Sequence, residues 1–264
     1  MSYITRGPSP RLAGIVERIW RVEDPSPADR GETICPDGCA EIVIHLGHPM
    51  RGQPRHLLVG QMQTSITVTP SGPVTMIGAR FRPDGLRHVL EIPQDRLLGQ
   101  IVPLDAVWSM WTDRTVDQVM SARDPAGQLT AFERALELLL PSTGGPQRDR
   151  GIAWAIRAMR ARGGPVGMDA LADRAGVSRR QFERRFRDHV GLSPHLFGRI
   201  VRFQHAFAAV GRESGASLAA RLRFVDQAHM VREVRRFSGE TPTLLAERTD
   251  GAGLTSFFVN ADVE

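Results

Sequence analysis

Apolar positions recur with two different periods along this 264-residue chain, and the change of period divides it. In roughly the first hundred residues they come in short runs set between turn formers. Glu41 to Leu46 alternates, with Ile42, Ile44 and Leu46 on one face and Glu41, Val43 and His45 on the other, the mark of a strand. Ser65 to Thr69 and Val74 to Phe81 are β-branched runs, and Pro70-Ser-Gly-Pro73 between them predicts a hairpin. Two Pro-Asp-Gly turns, Pro36 to Gly38 and Pro83 to Gly85, bracket the region, which predicts a small barrel or sandwich. From Leu104 to Leu140 the period is helical. Phe132, Leu136, Leu139 and Leu140 form a stripe expected to pack on the β domain or on a second copy of itself.

Pro141-Ser-Thr-Gly-Gly-Pro146 breaks that pattern and marks a linker. Beyond it, Ile152, Ile156 and Met159 share one face of a helix stopped by Gly163-Gly-Pro165. Pro194 to Val210 is a longer helix with Leu196, Ile200, Phe203, Phe207 and Val210 on one stripe. The expected class is α+β: a β-rich domain with terminal helices (1–140), a linker (141–147), an all-α domain (148–250) and a tail (251–264).

The all-α part contains a repeat. Leu171 to Pro194 and Leu218 to Pro242 both open on Leu-Ala and place Val177 or Phe224 five residues after the alanine. Both carry an apolar-x-Arg-x-apolar core (Phe182, Arg184, Phe186; Met230, Arg232, Val234) and close on Gly-x-Ser/Thr-Pro at Gly191 and Gly239. Each block reads as two short helices at a tight turn, the second ending at glycine with proline beyond. Two copies predict two helix-turn-helix units entering successive grooves of DNA. The helix between them would set their separation.

Charge agrees with that division. All 34 basic residues are arginine; residues 148–250 hold 20 of them against 11 acids, and the remainder holds 14 against 18. A basic C-terminal part beside a mildly acidic N-terminal part is the electrostatic footprint of a nucleic-acid-binding module joined to another domain. Two cysteines are too few for a disulfide framework. With no apolar run of membrane length and no signal pattern, the chain is expected to be soluble and cytoplasmic.

Within the first unit Asp169 is the expected N-cap of the leading helix, and Ala172 and Gly176 are expected to allow close helix approach. Ser178 should cap the second helix, starting at Arg179, with Phe182, Phe186 and Val190 inward. Arg180, Gln181, Glu183, Arg184 and Arg187 then face outward, side chains suited to guanine, adenine and cytosine edges. In the second unit Asp226 caps, Met230 and Val234 face inward, and Gln227, Ala228, His229 and Arg232 face outward, with Arg235 and Arg236 placed for phosphates. The expected DNA-contacting set is thus Arg179, Arg180, Gln181, Glu183, Arg184, Arg187, Gln227, Ala228, His229, Arg232 and Arg236.

These residues resemble the AraC/XylS family of bacterial transcription regulators, over roughly Arg150 to Arg248. The family pattern LA-x-x-A-G-V-S-x-R-x-F-x-R-x-F is matched from Leu171 to Phe186, and its exit by Gly191, Ser193, Pro194, Arg202 and Ala206. Its second signature is met by Phe224, Asp226, Gln227, His229 and Arg232. Arg223 departs from it, standing where glycine is preferred and where a left-handed turn is expected. So do Ala228, where serine is common, and Met230 and Val234, where phenylalanines are usual. The resemblance implies promoter DNA as partner, RNA polymerase as a second, and a cupin-like N-terminal sensor domain able to bind a small effector or form a homodimer. Trp20, Cys35 to Gly47, Val59-Gly60 and Gly78 to Gly85 are similar to an uncharacterised N-terminal domain carried by a subset of the family.

Asp37, Glu41, His45 and Arg80 are the candidate ligand-orienting residues of that domain, with Arg82 beside them. A rival reading makes Cys35, Cys39 and His45, with His48, a zinc, redox or alkyl-acceptor site. The C-x-x-x-C spacing lacks a second ligand pair, and both cysteines also fit as small core residues around a turn. No phosphate loop, Ser-His-Asp order or carboxylate pair points to an enzyme, and no cofactor or metal is expected.

Overall fold

A computed structural model describes residues 1–27, 31–111, 113–141 and 148–249, with backbone alone for 246–249. The expected linker and the tail fall mostly or wholly outside those residues. Strands occupy the N-terminal half: β1 (Ser2–Arg6), β2 (Val16–Asp24), β3 (Glu32–Ile34), β4 (Glu41–His45), β5 (His56–Val59), β6 (Ile66–Val68), β7 (Val74–Phe81) and β8 (Ile101–Pro103). Helices follow: α1 (Asp113–Met120), α2 (Pro125–Glu137), α3 (Arg150–Arg162), α4 (Met168–Ala175), α5 (Arg179–Val190), α6 (Pro194–Ala209), α7 (Gly215–Arg221), α8 (Gln227–Ser238) and α9 (Pro242–Thr249). The α+β class expected from the two periods is the class observed.

The chain divides into two compact units. The first comprises residues 1–31, 39–60 and 68–148; the second comprises 32–38, 61–67 and 149 onward. In the first, six strands form an antiparallel sheet in the order β1-β2-β7-β4-β5-β8. The expected hairpin between Ser65–Thr69 and Val74–Phe81 does not form, because β6 pairs with β3 in a separate two-stranded sheet. The Pro70–Pro73 segment is held elsewhere: Arg51 N donates to Thr69 O (2.8 Å), and Met50 bridges Pro70. Proline and turn chemistry predicted the reversal there, but not which strand would receive it.

Register sorts the side chains of the six-stranded sheet into two faces. Ile19, Ala79, Ile42 and Leu58 form one row, and Ile77 and Ile44 continue that face. They join Val116, Val119, Leu129, Phe132 and Leu136 of α1 and α2 in one core, where Trp111 meets Phe132 edge-on at 6.0 Å. Burying each such side chain is worth roughly 1.5–3 kcal/mol. The helical stripe of α2 therefore packs on the sheet, the first of its two expected outcomes. The alternation of Glu41 to Leu46 is one of direction rather than of burial, since Ile42 through His45 are all buried.

In the second unit, the expected stop of α3 at Gly163 is found, together with two caps that were not expected. Asp149 caps α3 by accepting from Gly151 N and Ile152 N, and Gly163 ends it at φ 67°. Ser193 caps α6, with Pro194 in its first position. Asp169 is not a cap: Gly167 precedes α4, and Asp169 sits in its first turn. No described helix is long and apolar enough to cross a membrane.

Candidate nucleic-acid interface

The two repeats fold alike down to single hydrogen bonds. Val177 N donates to Ala172 O (3.1 Å) and Gly176 N to Asp173 O (3.1 Å). Forty-seven residues on, Phe224 N donates to Ala219 O (2.9 Å) and Arg223 N to Ala220 O (3.1 Å). This double bond closes a helix through a left-handed residue. Gly176 takes φ 66°, and a Cβ there would meet nothing within 4 Å, so its backbone conformation is what the site requires, not the close helix approach expected of it. Arg223 takes φ 58°, the one non-glycine residue with positive φ among those described. The departure from the family pattern is thus accommodated by strain of about 1–2 kcal/mol rather than by a different turn.

One residue separates the units. Ser178, the N-cap of α5, directly follows Val177, whereas Val225 intervenes between Phe224 and the α8 cap Asp226. Val225 is 85 % exposed, beside the start of α8.

The caps aim both helices. Ser178 and Gln181 form a reciprocal capping box, Gln181 Oε1 accepting from Ser178 N at 3.0 Å. Asp226 accepts from His229 N at 2.6 Å. Phe182, Phe186 and Val190 of α5 are buried, as are Met230, Val234 and Phe237 of α8. Arg179, Arg180, Gln181, Arg184 and Arg187 are left exposed on α5, with Glu183 half-buried. On α8 Gln227, Ala228, Arg232, Arg235 and Arg236 are exposed, with His229 half-buried.

Several of these side chains have partners inside the protein. Arg179 pairs with Asp169, and Arg187 with Glu183 at 2.7 Å across one helical turn. Gln181 spends its amide oxygen on the cap. His229 packs edge-on against Phe224 at 5.5 Å, and Val225 N donates to its Nδ1 (3.4 Å). Arg180, Arg184, Arg232, Arg235 and Arg236 form no ion pair among the described residues.

Helix α6 bears on both readers. Phe197 near its start lies 5.7 Å from Phe186 of α5, and Phe203 lies 5.3 Å from Phe237 of α8. Two arginine–carboxylate forks add to this. Arg185 of α5 binds Asp149 (Nε to Oδ2, 2.9 Å), and Arg199 of α6 binds Glu233 of α8 (Nε to Oε2, 2.8 Å). Arg202 reaches Glu233 at 3.7 Å, lies 4.2 Å over the Phe224 ring, and donates to Arg223 O. Burial pushes the Glu233 carboxyl upward, but hydrogen bonding and charge from Arg199, with Arg202 and His229, hold it below the usual carboxylate range. Burial likewise lowers Arg202, against Glu233. The sequence reading missed Asp149, Arg185, Arg199 and Glu233. The available signal was Glu233 itself, the one acid in a helix with three arginines.

In the first unit, Glu41, His45 and Arg80 project from one face of the sheet. Arg80 stands opposite both Arg18 and Glu41, and its Nε donates to Glu41 Oε1 at 2.9 Å. Trp20 crosses the next row over Gly78, where a Cβ would come within 2.3 Å of the indole. His45 is fully buried, and that burial drives its pKa down to about 4, with Gln53 acting in the opposite sense. Asp37 belongs to segment 32–38, which falls in the second unit. Cys35 and Cys39 are buried and not disulfide-bonded, and the Cys39 thiol donates to Glu17 at 3.8 Å. Among the described residues no three of His, Cys, Asp and Glu come together as a metal site.

Two family models match the chain: a helix-turn-helix domain over residues 171–248 and a domain of unknown function (DUF6597) over residues 5–103. The C-terminal part is an AraC-type helix-turn-helix domain. That domain supports reading the chain as a DNA-binding transcription regulator. Among solved structures, the DNA-binding domain of the global transcriptional factor AdpA in complex with a target DNA is 28% identical. That match covers 38% of this chain and 95% of that one at a TM-score of 0.32. ToxT from Vibrio cholerae is 6% identical over 93% of this chain and 98% of that one, at a TM-score of 0.46. No curated protein sequence matches. The assignment rests on the helix-turn-helix match and on the residues above.

Proposed function

We propose that α5 and α8 enter successive major grooves of promoter DNA, and that the N-terminal unit modulates this through a small effector or a second copy of the chain. The observation that carries the reading is the repetition. Two units with the same closing turn, capped reader and outward arginines bear on one helix, α6, whose 16 residues span about 24 Å. Arg180, Arg184 and Arg232 are the base-reading candidates, being exposed and without an ion pair. Arg179, Arg187, Arg235 and Arg236 suit phosphates, and RNA polymerase is the expected protein partner at the promoter. On the N-terminal sheet, the face bearing Arg18, Glu41, His45 and Arg80 is where a polar effector would act.

The test uses the full chain. Duplexes are selected from a random pool and affinity is measured across salt. The reading expects a recovered sequence with two blocks about one helical turn apart and an affinity that falls steeply as salt rises. A shallow salt response with no preference over random duplex would sink it.

A further inference from the structure

The DNA-reading unit is discontinuous in sequence, and we propose that segments 32–38 and 61–67 are positioning elements for α6 and α8. Both segments belong to the second unit although they lie more than eighty residues before it in the chain. Their edges pair as β3 and β6, so they form a single two-stranded strap. Three contacts tie that strap to the reader.

The first is at the end of α8. A helix leaves its last carbonyls without partners. In α8 Gly239 N returns to Arg235 O, and Ser65 N donates to Phe237 O at 2.9 Å. The strap thus supplies a donor that the helix lacks. The second is in the middle of α6, where the buried Gln204 amide donates to Pro36 O. The third is at the start of α6. Gly38, at φ 78°, lies so close to Phe197 that a Cβ would come within 2.7 Å of the ring. Glycine is needed there for both conformation and space, and the Pro-Asp-Gly turn legible in the sequence provides it. Gln61, inside the second segment, is fully buried as well.

A strap that fixes the C-terminal end of α8 and the axis of α6 sets the angle at which α8 presents Arg232, Arg235 and Arg236. It touches no base or phosphate in this role. Ser65 and Gln204 therefore act through α8 and α6, and removing their bonds should weaken the contribution of one half-site while the other is kept.

The proposal builds on the DNA-binding reading, and the experiment separates the two. In the full chain, Ser65→Pro removes the donor to Phe237 O, Ser65→Ala keeps it, and Gln204→Met removes the donor to Pro36 O. Amide exchange is followed without DNA in α8 and in α5. Binding is measured on the selected duplex and on one whose α8 block, identified as the block lost in Arg232→Ala, is scrambled.

The expected result is faster exchange in the last turn of α8 for Ser65→Pro and Gln204→Met, with α5 unchanged and Ser65→Ala like the parent. Affinity for the full duplex should fall about fivefold, the equivalent of one net hydrogen bond, with no change on the scrambled duplex. Unchanged exchange in α8 and unchanged binding in both variants would overturn the proposal. So would equal losses on both duplexes with faster exchange throughout, which would mark a general folding defect. If the parent selects no sequence while the exchange pattern appears as described, the positioning role stands and the DNA reading fails.

Discussion

The two readers share a plan and differ in how each is held. The first closes its turn on Gly176, caps α5 with a reciprocal Ser178–Gln181 box, and anchors through Arg185 to Asp149, a residue outside the reader. The second closes on Arg223, caps α8 with Asp226, and anchors through Glu233 to Arg199 of α6, the helix that also carries Arg202. The outward faces differ too: α5 pairs two of its exposed arginines, Arg179 and Arg187, with acids, while α8 presents Arg232, Arg235 and Arg236 without an ion pair among the described residues. The first unit is thus the better pre-organised, and the second depends on a network shared with α6. Losses in that network should therefore fall on one half of the DNA site.

The largest effect is expected at Glu233. Glu233→Gln leaves Arg199 and Arg202 without their carboxylate in a partly buried seam, a cost of about 2–3 kcal/mol in a denaturant titration. The sign of the pH dependence follows from the depressed carboxyl. The pair stabilises the fold fully above the unfolded value of about 4.3 and loses that contribution as pH falls through the lower folded value. The parent should therefore lose stability in acid more steeply than Glu233→Gln. Parallel acid limbs for the two proteins would show that the fork contributes nothing net.

The readers themselves come next. Arg180→Ala in α5 and Arg232→Ala in α8 should each cost about 1–3 kcal/mol on the selected duplex, and each should relax preference at a different block. Equal losses on every duplex would move that arginine to phosphate. Relaxation of the same block by both would collapse the two readers into one.

Much of this was legible because it is local. Ser178 and Asp226 are caps read from residue type and position, and the Leu-Ala…Gly-x-Ser/Thr-Pro spacing marked both units. Arg223 was legible as a departure, since only the expected left-handed turn made an arginine there costly. What could not be read is non-local. The β-branched run at Ile66–Val68 has strand chemistry whichever strand it meets, so nothing near it said that it pairs with β3 rather than β7. The fork between Arg199 and Glu233 joins residues 34 apart, and no periodicity links them. Gln181 was correctly placed outside, but its amide oxygen turns back to the cap because the nearest unsatisfied donor is the Ser178 amide.

The smallest effect isolates the turn that the two units share. Gly176→Ala adds a methyl into open space at φ 66°, so its whole cost is backbone strain, about 1 kcal/mol. Arg223→Gly at φ 58° relieves similar strain, but it frees the unfolded chain and gives up part of that gain. A net stabilisation of about 0.5 kcal/mol is expected, with opposite signs for the two substitutions in paired thermal melts. Arg202 adds a condition, because it donates to the Arg223 carbonyl and covers Phe224. Both contacts use atoms that a glycine at 223 retains or never had, so they should survive the change. If Arg223→Gly destabilises instead, the Arg223 side chain makes a stabilising contribution that outweighs the strain of its turn.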